Sequence, residues 1–149
     1  SAGLIVLGLD DPTTFVDGKN AVIAFAGGGI ETASRFAGLD LEAFTISSRN
    51  IASFAKAGTP ENPASLRLSL NAATGLFSGG FVLSDVNPAS PTTTVTRSVG
   101  YFGVLLSQEL KGKGYFVSPT LPKASPAPVV APSMTPIIGG GVVIDAAPH

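Results

Sequence analysis

The chain has no cysteine and no tryptophan, one methionine, and a single histidine, His149, which is its last residue. Without cysteine there is no disulfide framework, no thiol nucleophile and no Cys/His zinc site. A lone histidine at a chain end, where order is least, leaves a Ser-His-acid arrangement without an oriented base. Charge is scarce as well. Lys, Arg, Asp and Glu make up 13% of the 149 residues and sum to a net charge of −1, about half the usual charged fraction. With no basic cluster, nothing would release counterions from a phosphate backbone or steer the chain to an anionic membrane. Nucleic acid is therefore not an expected partner. The longest apolar runs, "SAGLIVLGL" and "AVIAFAGGGI", are too short to span a bilayer as helices. No charged leader precedes Ser1, which fits a mature form after signal removal or a segment of a longer chain.

What is present is apolar and flexible: 44% hydrophobic residues, 18 glycines and 12 prolines. A chain of this length makes one domain and buries roughly two thirds of its unfolded surface without staples. Its surface must then be built largely from Ser, Thr, Asn, Gly and Pro. This composition is typical of bacterial secreted and surface proteins, and an extracellular location is expected.

Period-two alternation bounded by turn residues dominates the sequence. "GLIVLGL" reads as a first strand, "DDPTTFVDGKN" as a loop and "AVIAFAGG" as a second strand. "IETASRFAGLD" is the one credible short helix, with Ile30, Ala33, Phe36 and Ala37 on one face. "LEAFTIS" reads as a third strand, and "RNIASFAKAG" fits either a strand with a loop or one irregular turn. In "ASLRLSLNAATGLFSGGFVLSD", Leu66, Leu68 and Leu70 share a face opposite Ser65, Arg67, Ser69 and Asn71, and "NAATG" turns the chain into a hairpin. "VNPASPTT" reads as a loop, "TVTRSVGYFGVLLSQ" as a long strand, "ELKGKG" as a turn and "YFVSP" as the next strand. Residues 119–136 form a proline-rich extended excursion. A final strand, "IIGGGVVID" over 137–145, keeps the whole of 1–149 in a single β domain.

Glycine inside long strands weakens packing and loses backbone entropy, so Gly79, Gly80, Gly100 and Gly103 need a reason. Sheet geometry supplies one, because glycine permits bulges, close backbone approach and a ring lying across the strand. The expected fold is all-β with at most one short helix: a small antiparallel β-barrel or coiled β-sandwich of about 7–8 strands. Phe77, Phe81, Tyr101, Phe102, Tyr115 and Phe116 are expected to supply the bulk that glycine omits.

Sites for chemistry are few. Asp10 with Asp11, and Asp40 with Glu42, are carboxylate pairs of the kind used in glycoside hydrolysis or calcium binding, but no D-x-D-x-D-G loop accompanies them. Solvated turn or edge charges account for both pairs more simply. The "GGG" of residues 27–29 matches neither phosphate-binding spacing. Tyr101, Tyr115 and Arg97 form a candidate ligand platform for sugar rings. Leu4, Ile5, Val6 and Leu7, and Val142, Val143 and Ile144, are candidate strand-pairing segments for a sheet edge of another copy; alternatively they close the domain's own barrel. No catalytic residue, metal ligand or cofactor is assigned.

The ordered phrases "ASLRLSLNAATGLFSGGFVLSD", "TRSVGYFGVLLSQ" and "GKGYFVSPTLP", with "AVIAFAGGGIETASRFA" before and "GGGVVID" after, resemble a glycine- and aromatic-rich β domain near the C-termini of large secreted or surface proteins of Verrucomicrobia-like bacteria. The resemblance covers most of the chain from residue 20. It implies a place outside the cell and attachment to a larger polypeptide, and it implies no reaction. The expected function is an extracellular structural or interaction module that contacts other copies of itself or other domains of a larger surface protein, and that forms filaments by strand pairing. A carbohydrate-binding module with a glycan partner is the alternative, and a hydrolase using Asp40 and Glu42 comes last. No membrane-spanning segment is expected.

Overall fold

The computed structural model describes residues 7, 9–28, 30, 41–88, 90–119 and 137–148. The strands are β1 (Ala21–Gly27), β2 (Glu42–Ile46), β3 (Ala52–Ser53), β4 (Arg67–Asn71), β5 (Leu76–Asn87), β6 (Ser90–Leu106), β7 (Lys111–Pro119) and β8 (Ile137–Ala146). They form one antiparallel sheet in the order β3-β2-β1-β8-β7-β6-β5-β4. β3 and β4, the two ends of that order, approach each other and bring the sheet to a nearly closed barrel. The only other regular element among the described residues is a 3-10 turn at Pro12–Thr14, capped by the Asp11 carboxylate. The all-β fold is as expected, and of the two forms left open, barrel or coiled sandwich, the structure takes the barrel. Apart from Ile30, Leu7, Leu9 and Pro119, the proposed helix over 30–40, the first strand over 3–9 and the excursion over 119–136 lie outside the described residues; Pro119 itself is the last residue of β7, paired with Ile137 of β8.

Alternation decides which side chains fill the barrel. On β5 and β6 the odd positions Phe77, Phe81, Leu83, Val99 and Tyr101 are buried; on β8 the even ones, Val142 and Ile144, are. Phe25 of β1 lies at the centre of an aromatic cluster, with ring centroids 4.9 Å from Phe81, 5.1 Å from Tyr101 and 5.9 Å from Phe116. Burial of each such ring contributes about 1.5–3 kcal/mol.

The strand glycines make room for these rings. A Cβ on Gly140 or Gly28 would overlap the ring of Phe116, one on Gly103 the ring of Phe77, and one on Gly79 the hydroxyl of Tyr101. Gly27 and Gly28 also take positive φ where β1 ends, at 76° and 65°, a conformation that side-chain-bearing residues rarely adopt. The expectation that all six aromatics fill the interior holds for four of them, Phe77, Phe81, Tyr101 and Phe116. Phe102 and Tyr115 point outward, because each adjoins an inward aromatic on its strand and successive side chains take opposite faces.

Two buried asparagines hold the places where ladder pairing stops. Asn62 Nδ2 donates to the carbonyls of Ala55 and Leu66, and its Oδ1 accepts from Leu66 N at 2.7 Å. One side chain thus ties the segment after β3 to the residue before β4, across the barrel seam. Asn20, just before β1, does the same at the last residue of β2: its Nδ2 donates to Asp10 O and Ile46 O, and its Oδ1 accepts from Ile46 N. A buried backbone group left unpaired costs about 1–3 kcal/mol, and each asparagine satisfies several.

Two expected turns are shorter than the sequence suggests. The chain reverses between Asn87 and Ser90, and Pro91 already belongs to β6, since the register shift between Val86 and Asn87 leaves Pro91 in a bulge where no ladder N–H is needed. "KGKG" is likewise strand and not turn, because Gly112 and Gly114 lie in β7 opposite Ile144 and Val142.

Adjacent glycines give a sharp test of the ring-over-glycine packing. Gly140→Ala should lower the unfolding free energy by about 1–3 kcal/mol through overpacking. Gly141→Ala, whose Cβ would meet nothing within 4 Å, should be neutral or stabilising by up to about 1 kcal/mol. Urea unfolding of the two variants checks both.

Candidate functional site

The surface feature that stands out is the outward face of β5–β8. Register places Ser69, Ser78, Phe102, Tyr115, Gly141 and Ala26 in one row across six strands. Phe102 and Tyr115 are directly opposed on β6 and β7, yet 56% and 61% exposed. Leu76, Val104, Val117 and Val143, also outward and exposed, flank them. Such a group of large apolar side chains is unlike a surface of scattered single hydrophobes. Gly100, Gly139 and Gly141 lie exposed on the same face and leave its floor low around the two rings, whereas Gly80, also outward, is buried beneath the Arg67 guanidinium.

Beside Phe102 the floor drops into a cleft of about 440 Å³, between the β4–β5 hairpin and β6, lined by Ser69, Asn71, Thr74, Leu76, Ser78 and Phe102 among others. It adjoins a second hollow of about 310 Å³ reaching past Arg67. The hairpin is held by its own turn. Asn71 Oδ1 accepts from the N–H groups of Ala73 and Thr74, Gly75 N donates to Asn71 O at 2.8 Å, and Gly75 has φ 69°, which suits glycine. One wall of the cleft is therefore hydroxyl and amide, the other aromatic. Charge is sparse: Arg67 lies at one end, and Lys113 sits outward on β7, bonded to Glu109.

The platform expected from the sequence does not assemble. Tyr115 is outward, but Tyr101 and Arg97 occupy inward positions of β6 and are buried. Tyr101 donates its hydroxyl to the Arg67 carbonyl, and burial pushes its phenol well above the ordinary value. Arg97 Nη2 bonds Asp85 Oδ2 at 2.8 Å and its Nη1 donates to the Pro119 carbonyl at 2.7 Å, while Nε has no hydrogen-bond partner among the described residues. That pair braces β6 against β5 inside the barrel. Phe102 was missed as a surface residue. The signal lay in the doublets Tyr101-Phe102 and Tyr115-Phe116, since adjacent strand residues cannot share a face.

The strand-pairing segments are also internal where they are described. Val142, Val143 and Ile144 belong to β8, which is bonded to β1 on one side and β7 on the other. Leu7 is buried in the core, and Leu4, Ile5 and Val6 lie outside the described residues, as does Asp40. Glu42 is half-buried on β2, where desolvation raises its carboxyl above the usual value and Lys19 opposes the rise. Among the described residues no group of three His, Cys, Asp or Glu side chains is placed to hold a metal ion, and no helix is long and apolar enough to cross a membrane. Comparison with known proteins finds no match to a family model, a curated protein sequence or a solved structure.

Asp85→Ala should cost about 3–5 kcal/mol, because it strands the Arg97 charge in the interior. Asp85→Leu combined with Arg97→Met should restore most of that loss. Thermal unfolding of the single and double variants measures the difference.

Proposed function

We propose that the chain is an extracellular interaction module of a larger bacterial surface or secreted protein, and that it works through the outward face of β5–β8. The observation that carries this reading is the opposed Phe102–Tyr115 pair, held in register on a nearly closed barrel and left open to solvent. A barrel that buries Phe25, Phe77, Phe81, Tyr101 and Phe116 has no folding need to place two further rings outside. The low charge, the glycine-rich composition and the resemblance of residues 64–122 support a place outside the cell. The commitment of both flanks of β8 to its own neighbours favours contact through a sheet face over strand exchange at Val142–Ile144.

A working surface and a structural one respond differently to truncation. Exposed cross-strand aromatic pairs contribute about 0.2–1 kcal/mol. Phe102→Ser and Tyr115→Ser should each lower stability by no more than about that amount in urea unfolding. A loss of several kcal/mol would make the pair part of the folding framework and remove this reading.

A further inference from the structure

Resting on that reading, we infer that the β5–β8 face binds a neutral glycan, with Phe102 and Tyr115 as the stacking platform and the hydroxyl and amide groups beside Ser78 as the hydrogen-bonding edge. The two walls of the cleft differ in a way that selects this ligand. A sugar ring is amphipathic: its C–H face packs on an aromatic ring, and its rim of hydroxyls needs donors and acceptors. Phe102 presents the ring, and Ser69, Ser78 and Thr74 present hydroxyls within the same cleft. The Oδ1 of Asn71 is taken by the turn, which leaves its amide N–H groups as donors. The hydroxyls of Ser69 and Ser78 have no hydrogen bond among the described residues.

Dimensions and charge narrow the class. Four strands carry the row from Ser69 to Tyr115, and three steps of about 4.8 Å make it roughly 14 Å long, suited to a short oligosaccharide more than to one ring. No carboxylate lines either hollow, and Arg67 is the one charged side chain that does. A polyanion would need several cations. A protein partner docking by its apolar core would leave the hydroxyl wall unpaired. An added peptide strand needs a free edge, whereas β5, β6, β7 and β8 are each paired on both sides.

The test is affinity electrophoresis of the whole chain in gels cast with neutral polysaccharides (β-glucan, galactomannan, α-mannan, hydroxyethylcellulose) and, in parallel, acidic ones (alginate, polygalacturonate). At least one neutral gel should retard the chain. Phe102→Ala and Tyr115→Ala should each weaken that retardation at least about tenfold, as loss of an aromatic anchor does. Val86→Ala, exposed elsewhere on β5, should leave it unchanged. Urea unfolding confirms that each variant is folded. No retardation in any neutral gel, retardation by acidic gels alone, or retardation indifferent to both aromatic substitutions overturns the proposal. If the aromatic variants stay as stable as the parent and only glycan binding is absent, the interaction-face reading survives and its ligand is a different one. If they unfold, both fall.

Discussion

The barrel depends on rings lying where glycine has left no side chain. Phe116 fills the space above Gly28 and Gly140, Phe77 that above Gly103, and Tyr101 that above Gly79. Each contact joins different strands, so the same exchange of glycine for aromatic bulk both curves the sheet and fills it. Flat pairing of eight strands with ordinary side chains would leave two long edges. Here β3 and β4 come together and Asn62 closes the seam with three hydrogen bonds to backbone.

From that interior arrangement the outside follows. Once Tyr101 and Phe116 are fixed inward and opposite one another, Phe102 and Tyr115 must be outward and opposite one another. The glycines that serve no ring inside, such as Gly141, keep the outer surface low around the exposed pair. Polar groups gather at one side because β4 ends in an asparagine-held turn. The packing of the core thus fixes which positions face outward, and the residues that stand there give the weakly charged face, with aromatic and hydroxyl walls, that the proposed glycan recognition uses. The buried Arg97–Asp85 pair belongs to the other economy of the protein, in which a charge is tolerated inside because its partner lies 2.8 Å away.

Much of the fold is legible in the sequence. The leucine alternation at 66, 68 and 70 with Asn71–Gly75 specifies the β4–β5 hairpin, and glycine in mid-strand signals a barrel or tightly coiled sheet. Local residues do not disclose register across strands. Tyr101 and Arg97 look like surface groups by residue type, and parity with Phe116 and Leu83 puts them inside. Pro91 suggests a loop, and a bulge lets it sit in a strand. Val142–Ile144 look like a sticky edge until β1, far away in sequence, is seen to pair with them.

Nuclear Overhauser contacts between ring protons and glycine Hα protons test the central claim most directly. Ring-over-glycine packing should give contacts from Phe116 to Gly28 and Gly140, from Phe77 to Gly103 and from Tyr101 to Gly79, with none from Phe102 or Tyr115 to Phe25. If Phe116 showed no contact with either glycine, or Tyr115 shared contacts with the Phe25 cluster, the barrel would be packed differently and the exposed pair with it.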